Sequence, residues 1–278
     1  MKRPKGKPRF RGGMPRRDNV RYDRQLIERS SPGALPAVLP LAHVTAAWLA
    51  KEIVRDRTFA TKWCDVFEKE LLYFFVLRPA YRSRYGDQES HQLTRFPVVF
   101  IVKPSAIPSP AHVYPFDTGA AAKGAFTKQA DPLVFLEDYA VAASHAGAAG
   151  HVGWAFASLS SYYQGDLRQN ILEDVPLSES VTRGYVDVAR MGIEGSNQHD
   201  KRASTVEIAS SHNVPLQDNI ELVIFPKQYL EGSTLYDEVV ALGAEVELYD
   251  WQPNKAPDEF QEEVMNIAKA WYARKGIL

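Results

Sequence analysis

Three separated stretches carry the side chains best suited to act on a bound substrate. His43-Val44-Thr45 places two polar groups at the start of an apolar run. Leu71-Leu72-Tyr73-Phe74-Phe75-Val76-Leu77-Arg78-Pro79-Ala80-Tyr81-Arg82 leads a strongly apolar run into a segment rich in arginine and tyrosine. Arg202-Ala203-Ser204-Thr205-Val206-Glu207-Ile208-Ala209 sets one carboxylate inside an otherwise β-forming stretch. Each residue type has its own capability. A carboxylate such as Glu207 stabilises positive charge that builds in a transition state. Guanidinium groups such as those of Arg78 and Arg82 offset a phosphate through forked hydrogen bonds. The ring of Tyr73 or Tyr81 can stack on a flat heterocycle. Taken singly, each also has a plainer reading. Glu207 reads as a solvent-facing strand residue opposite Val206 and Ile208, Tyr73 as core, Arg82 and Arg84 as solvated surface, and His43 as a packed histidine at a strand end.

Other chemistries lack their residues. The histidines, His43, His91, His112, His145, His151, His199 and His212, include no His-x-x-x-His pair, and the single Cys64 allows no Cys-x-x-Cys, so no metal site is expected. The glycine patterns that cradle a dinucleotide or a nucleoside triphosphate are absent, as is Gly-x-Ser-x-Gly. Cys64 has no activating partner in sequence and reads as a small buried hydrophobe. It cannot form an internal disulfide, which favours a reducing compartment.

The elements that would position these residues alternate in type. Leu41–Thr45 reads as a strand, and Ala46–Arg55 carries Leu49, Ile53 and Val54 at helical spacing. Leu71–Val76 and Phe96–Val102 read as buried strands. A helical middle follows: Asp131-Pro132 would cap a helix over Leu133–Ala143, with further helices over Val152–Tyr163 and Ser180–Ala189. Strands return at Ser204–Ala209 and Ile220–Phe225. Ser233 would start a helix that runs through Leu242 and ends at Gly243, Glu245–Tyr249 alternates as a strand, and Pro257–Arg274 closes the chain as a helix. The pattern predicts an α+β fold.

The 278 residues are 45% hydrophobic and 24% charged, which suits a globular domain with a sizeable core and excludes a fibrous or wholly disordered chain. No apolar run approaches the roughly 20 residues of a bilayer span, and the basic start lacks the apolar stretch of a secretory signal. A cytoplasmic protein with no membrane partner is expected. The net charge of −1 is unevenly spread: residues 1–30 hold eleven Lys or Arg against three acids, and the other 248 hold 22 bases against 31 acids. Met1–Arg29, rich in Pro, Gly and Arg, predicts an arm without fixed structure that can reach phosphate. The expected organisation is a basic, disordered arm over residues 1–40 and a single domain over 41–278, with a helical insertion at about 131–195.

In order and chemistry the three stretches resemble the ADP-ribosyltransferase superfamily, and within it the DarT-like bacterial toxins. The resemblance lies in His43-x-Thr45 and the helix behind it, in Leu71–Arg78 with its Pro-Ala-Tyr sequel, in Phe96–Val102, and in Arg202-x-x-x-x-Glu207 leading through Val214-Pro215-Leu216 to Ile220–Phe225 and Pro226. It covers under a third of the chain, and the long helical middle has no counterpart in it. The resemblance implies a split β-sheet core that takes NAD as substrate, with no metal. It implies that His43 and Thr45 anchor the nucleotide, that Tyr73, Arg78 and Tyr81 form the nicotinamide and phosphate pocket, and that Glu207 is the catalytic carboxylate. The implied activity is ADP-ribosyl transfer by a toxin or defence effector, with DNA or RNA as acceptor and a neutralising antitoxin or other protein as partner. The alternatives are an NAD glycohydrolase on the same fold, and a binding module without catalysis.

Overall fold

A computed structural model describes residues 13–16, 23–30, 35–80, 92–126, 129, 134–191 and 200–278. Along the chain, helix α1 (Gln25–Arg29) precedes strand β1 (Leu41–Ala46) and helix α2 (Ala47–Asp56). Strands β2 (Thr58–Phe59), β3 (Lys62–Cys64), β4 (Lys69–Val76), β5 (Pro97–Val102) and β6 (His112–Tyr114) lead to helix α3 (Thr118–Ala122). The helical middle comprises α4 (His145–Ala155), α5 (Leu159–Gln164) and α6 (Ser180–Arg190). Strands β7 (Glu207–Ser210), β8 (Val214–Pro215) and β9 (Ile220–Pro226) follow, then α7 (Lys227–Leu230), α8 (Leu235–Ala241), β10 (Glu245–Tyr249) and α9 (Gln261–Arg274).

Among the described residues, eight strands form one mixed sheet in the order β10-β9-β5-β1-β4-β7-β6, with β3 joined to the start of β4. Only β9 and β10 are parallel. The fold is α+β, as the alternation of elements predicts. Strand β5 lies inside the sheet with all six residues buried, which is why Pro97–Val102 reads as an unbroken apolar run rather than an alternating one. Pro97 takes its first position, where a missing N–H is tolerated. Helix α2 buries Ala47, Ala50 and Val54, a stripe at helical spacing, and ends at Arg57 in the left-handed region (φ 52°).

The sheet is divided at one place. Strand β1 pairs with β5 over its whole length, Leu41 to Ala46, but with β4 only at Leu41–Val76 and Ala42–Phe75. Beyond Ala42 the two strands part, and an imidazole takes over from the backbone ladder: His43 Nδ1 lies 2.9 Å from the Tyr73 carbonyl.

Several boundaries differ from expectation for local reasons. Asp131-Pro132, expected to open a helix, lies outside the described residues. Within the expected Leu133–Ala143 helix, the structure holds a single 3-10 turn at Leu136–Tyr139. The helix starts after Ser144, whose hydroxyl accepts the Gly147 N–H at 2.9 Å. Gly147 is required there, since a Cβ would fall 2.2 Å from the Ala142 carbonyl oxygen. The expected Val152–Tyr163 helix is two, because Ser158 caps the second by accepting the Ser161 N–H at 3.0 Å. Residues Lys201–Ser204 form a 3-10 turn, so the strand begins only at Glu207.

The basic arm is also corrected in part. Gln25–Arg29 is helical, with Leu26 fully buried and packed against α4 and α6. The Asp23 N–H donates to Asp138 at 3.0 Å, Arg29 forks onto Glu179, Arg16 pairs with Glu137, and Met14 is buried. One leucine and one methionine among many basic residues are too sparse for a periodic signal, yet each burial contributes about 1.5–3 kcal/mol. Leu26→Ala is therefore expected to cost about 2–5 kcal/mol, and removal of residues 1–30 to lower the melting temperature in a calorimetric scan. An unchanged transition in both proteins would show that this segment contributes nothing to the fold.

Candidate active site

The parting of β1 from β4 opens a cleft of about 570 Å³, within the roughly 300–1,000 Å³ typical of small-molecule sites. His43, Thr45 and Tyr73 all line it, as do Leu49 and Ile53 of α2. The ribbon of β2 with β8 supplies Phe59, whose ring lies 5.0 Å from that of His43, with Phe74 at 5.5 Å. Burial among these rings lowers the His43 pKa to about 4, so the imidazole is neutral at physiological pH. With Nδ1–H donating to Tyr73, its Nε2 is left as an acceptor. Lys62 and Lys123 bring positive charge to the cleft, Glu52, Asp56 and Asp65 bring negative charge, and Trp63 stands at its wall 45% exposed.

Glu207 sits one strand behind this wall. It opens β7 opposite Phe75 of β4 and Tyr114 of β6 and is almost wholly buried. The two-residue period puts it opposite Val206 and Ile208, as expected, but that face is covered by α3 instead of water. The Thr118 hydroxyl donates to Glu207 Oε1 at 2.6 Å and the Thr118 N–H to Oε2 at 3.3 Å. His112 Nε2 stands 3.8 Å from Oε1. Burial lowers the His112 pKa to about 3, so this approach is that of a neutral ring, not an ion pair. Burial first, and then the charge of Asp117, raise the Glu207 carboxyl well above the usual carboxylate range, against the pull of the Thr118 hydrogen bonds. Tyr73 links wall and carboxylate. Its hydroxyl donates to Cys64 Sγ at 2.8 Å, and its pKa is raised by burial and next by Glu207.

Arg202 holds this arrangement from outside. Its Nε and Nη2 fork onto Asp200 at 2.9 and 2.8 Å, and its Nη1 reaches Asp117 at 3.2 Å. Asp117 caps α3 by accepting the Ala120 N–H at 2.7 Å, which fixes the turn that presents Thr118. The Arg202-led pattern in the sequence therefore corresponds to a real connection, made through α3.

The structure thus brings together His43, Thr45 and Tyr73, with Glu207 beneath them. Arg78 stands elsewhere. Leu77 takes a left-handed conformation (φ 58°) and turns the chain inward, and Arg78 is fully buried with Nη1 donating to the Ser204 carbonyl and hydroxyl at 2.7 and 2.9 Å. It does not line the cleft. Tyr81, Arg82 and Arg84 lie outside the described residues. Sequence reasoning passed over Thr118, Asp117 and His112, whose only signal was the helix-start pair Asp117-Thr118, and it read Cys64 as inert where it is a cleft residue accepting a hydrogen bond. Among the described residues, no three His, Cys, Asp or Glu side chains converge as metal ligands, and no helix is long and apolar enough to cross a membrane. Comparison with protein-family models, with curated proteins and with solved structures gives no match.

The raised pKa of Glu207 has a consequence for stability. Its folded value lies above its unfolded one, so the stabilisation is complete below the ordinary carboxylate pKa and is lost as pH rises toward the folded value. Glu207→Gln cannot ionise and escapes that loss. Thermal unfolding of the two proteins is expected to coincide near pH ~4 and to diverge in favour of the variant by pH ~8; a gap constant across that range would mean that Glu207 titrates normally.

Proposed function

We propose that this protein is an NAD-dependent ADP-ribosyltransferase. The observation that carries the reading is the split between β1 and β4, which lines one cleft with His43, Thr45 and Tyr73 and backs it with the buried carboxylate of Glu207. In this reading NAD is the substrate. Its nicotinamide-ribose half enters the cleft toward Tyr73, and neutral His43 accepts a ribose hydroxyl hydrogen at Nε2. Lys62 and Lys123 are the cleft cations available to its diphosphate, the part that the family resemblance gave to Arg78.

The chemistry follows from charge. The bond between nicotinamide and ribose breaks with its electron pair leaving on the neutral ring, so positive charge appears at the ribose, as in glycoside cleavage. Glu207 stabilises that charge, and its environment makes it a strong partner for it. A buried carboxyl held near neutrality ionises when a cation approaches, and its attraction is large where water is excluded. Contact requires Thr118 to release its hydrogen bonds in favour of the ribose hydroxyls, a like-for-like exchange of hydroxyl donors. The acceptor then attacks the ribose carbon and gives up its proton. A nucleic acid is the proposed acceptor, in keeping with the basic residues of the first 30 positions.

Nicotinamide release and label transfer are measured with NAD alone and with NAD plus DNA, RNA or protein. Transfer to a nucleic acid is expected. Release without transfer would identify the glycohydrolase, and neither would leave a binding module. Glu207→Gln is expected to reduce turnover about a hundredfold or more, the scale of losing one preorganised electrostatic contact, with little change in NAD affinity because Glu207 acts on charge present only in the transition state. The control is Glu221→Gln on β9, which is expected to retain activity. Full nicotinamide release by Glu207→Gln would remove the carboxylate from the mechanism.

A further inference from the structure

Arginine forks recur in this molecule, and one of them is unfilled. In Arg202 the edge formed by Nε and Nη2 is closed by the two oxygens of Asp200, and in Arg29 the same edge is closed by the two oxygens of Glu179. In Arg78 that edge is open: Nε and Nη2 are buried with no hydrogen-bond partner, while Nη1 alone is used, on Ser204. Arg78 is also the most enclosed of the three, with no exposed surface. Among the described residues no carboxylate stands within ion-pair distance of it, and the aromatic ring of Tyr162, 5.5 Å away, is its nearest compensation. A guanidinium stays protonated in proteins, and a buried charge without a partner is among the costliest features a fold can retain.

The surroundings leave room at the open edge and polar groups to share it. Gly165, in the left-handed region at φ 91°, faces Nη2. A Cβ there would stand 3.2 Å from both Nη2 and the Ser204 hydroxyl. The Ser204 hydroxyl accepts from Nη1 and keeps its own proton to donate. The Tyr185 hydroxyl, subject to the charge of Arg78, is buried without a partner, as are both nitrogens of His151, whose ring lies 4.6 Å from that of Tyr185.

We propose that the Nε–Nη2 edge of Arg78 binds a small free oxyanion, phosphate- or formate-sized, which closes the fork as Asp200 and Glu179 close theirs. The fork offers two parallel N–H donors at the spacing of two oxygens on one carbon or phosphorus, and this geometry selects an oxyanion over a halide. Ser204 donates the third hydrogen bond. The site lies outside the cleft and takes no part in the proposed transfer, so the ligand is structural: it supplies the missing counter-charge where the end of β4 meets the helical middle. The diphosphate of NAD offers the same chemistry, and the test separates the two sources.

Equilibrium dialysis of the full chain against labelled inorganic phosphate, and separately labelled formate, is expected to give one bound ion per chain that excess NAD does not displace. Arg78→Lys keeps the charge but not the fork and is expected to weaken binding about ten- to hundredfold. Gly165→Ala, which narrows the gap with Arg78 intact, is expected to weaken it as well. Should either variant fail to fold, crystals of the wild-type chain grown with selenate are expected to show one anomalous peak at Arg78. Displacement by NAD, equal binding by Arg78→Lys, or the absence of both bound label and anomalous peak would overturn the proposal.

Discussion

The exchange of a backbone ladder for one imidazole hydrogen bond is the constraint on which this structure turns. Up to Ala42, β1 and β4 satisfy one another; after it, β1 follows β5 alone. A gap in a sheet exposes peptide groups that must find partners, and His43 meets that need at the Tyr73 carbonyl. The bond holds the strands at side-chain spacing, turns Tyr73 toward the opening and fixes the imidazole tautomer. The rings of Phe59 and Phe74 then keep that imidazole neutral. One residue thus props the cleft open and furnishes an acceptor inside it.

Beneath the cleft, an acid is held where charge is unwelcome. Glu207 is buried close to a second carboxylate, Asp117, and the two are reconciled by Arg202, which neutralises Asp117 from the outer side and anchors the α3 turn. Thr118 receives its position from that turn and spends it on Glu207. The carboxylate is therefore satisfied by hydrogen bonds more than by countercharge, which leaves its affinity for positive charge unused in the resting protein. Arg78 shows the same economy with the sign reversed: a buried cation satisfied by hydrogen bonds to Ser204 on one side and by nothing on the other.

Much of this was legible in the residues. The apolar runs of β1, β4, β5 and β9 stand out because central strands have both faces covered, and His43, Thr45 and Tyr73 could be grouped because all three fall on such runs. What escaped depends on contacts between distant segments. No spacing rule announces that Asp117 caps a five-residue helix over a carboxylate 89 positions away. Nor does periodicity reveal that the second face of β7 is covered, which is why a strand glutamate reads as solvated when it is buried. Arg78 was misjudged because an arginine after a strand is ordinarily free to reach a ligand, and the left-handed turn at Leu77, disfavoured for a branched side chain, sends it inward. The helix expected from Leu133 begins later because a serine cap outweighs composition.

The network around Arg202 also sets when the site can exist. His43 and Tyr73 lie in the first third of the chain, Asp117 and Thr118 near its middle, and Asp200, Arg202 and Glu207 in its last third. Domains take shape as they leave the ribosome, N-terminal parts first, so a nascent chain presents the cleft walls long before it has a carboxylate to place behind them. Strand β9, which covers the outer edge of β5, emerges later still. A truncated product that ends short of Glu207 has neither the acid nor the anchor for α3, and it leaves β4 with an unpaired edge. The chemistry of this protein is withheld until translation is nearly complete, and any fragment released before then is inert.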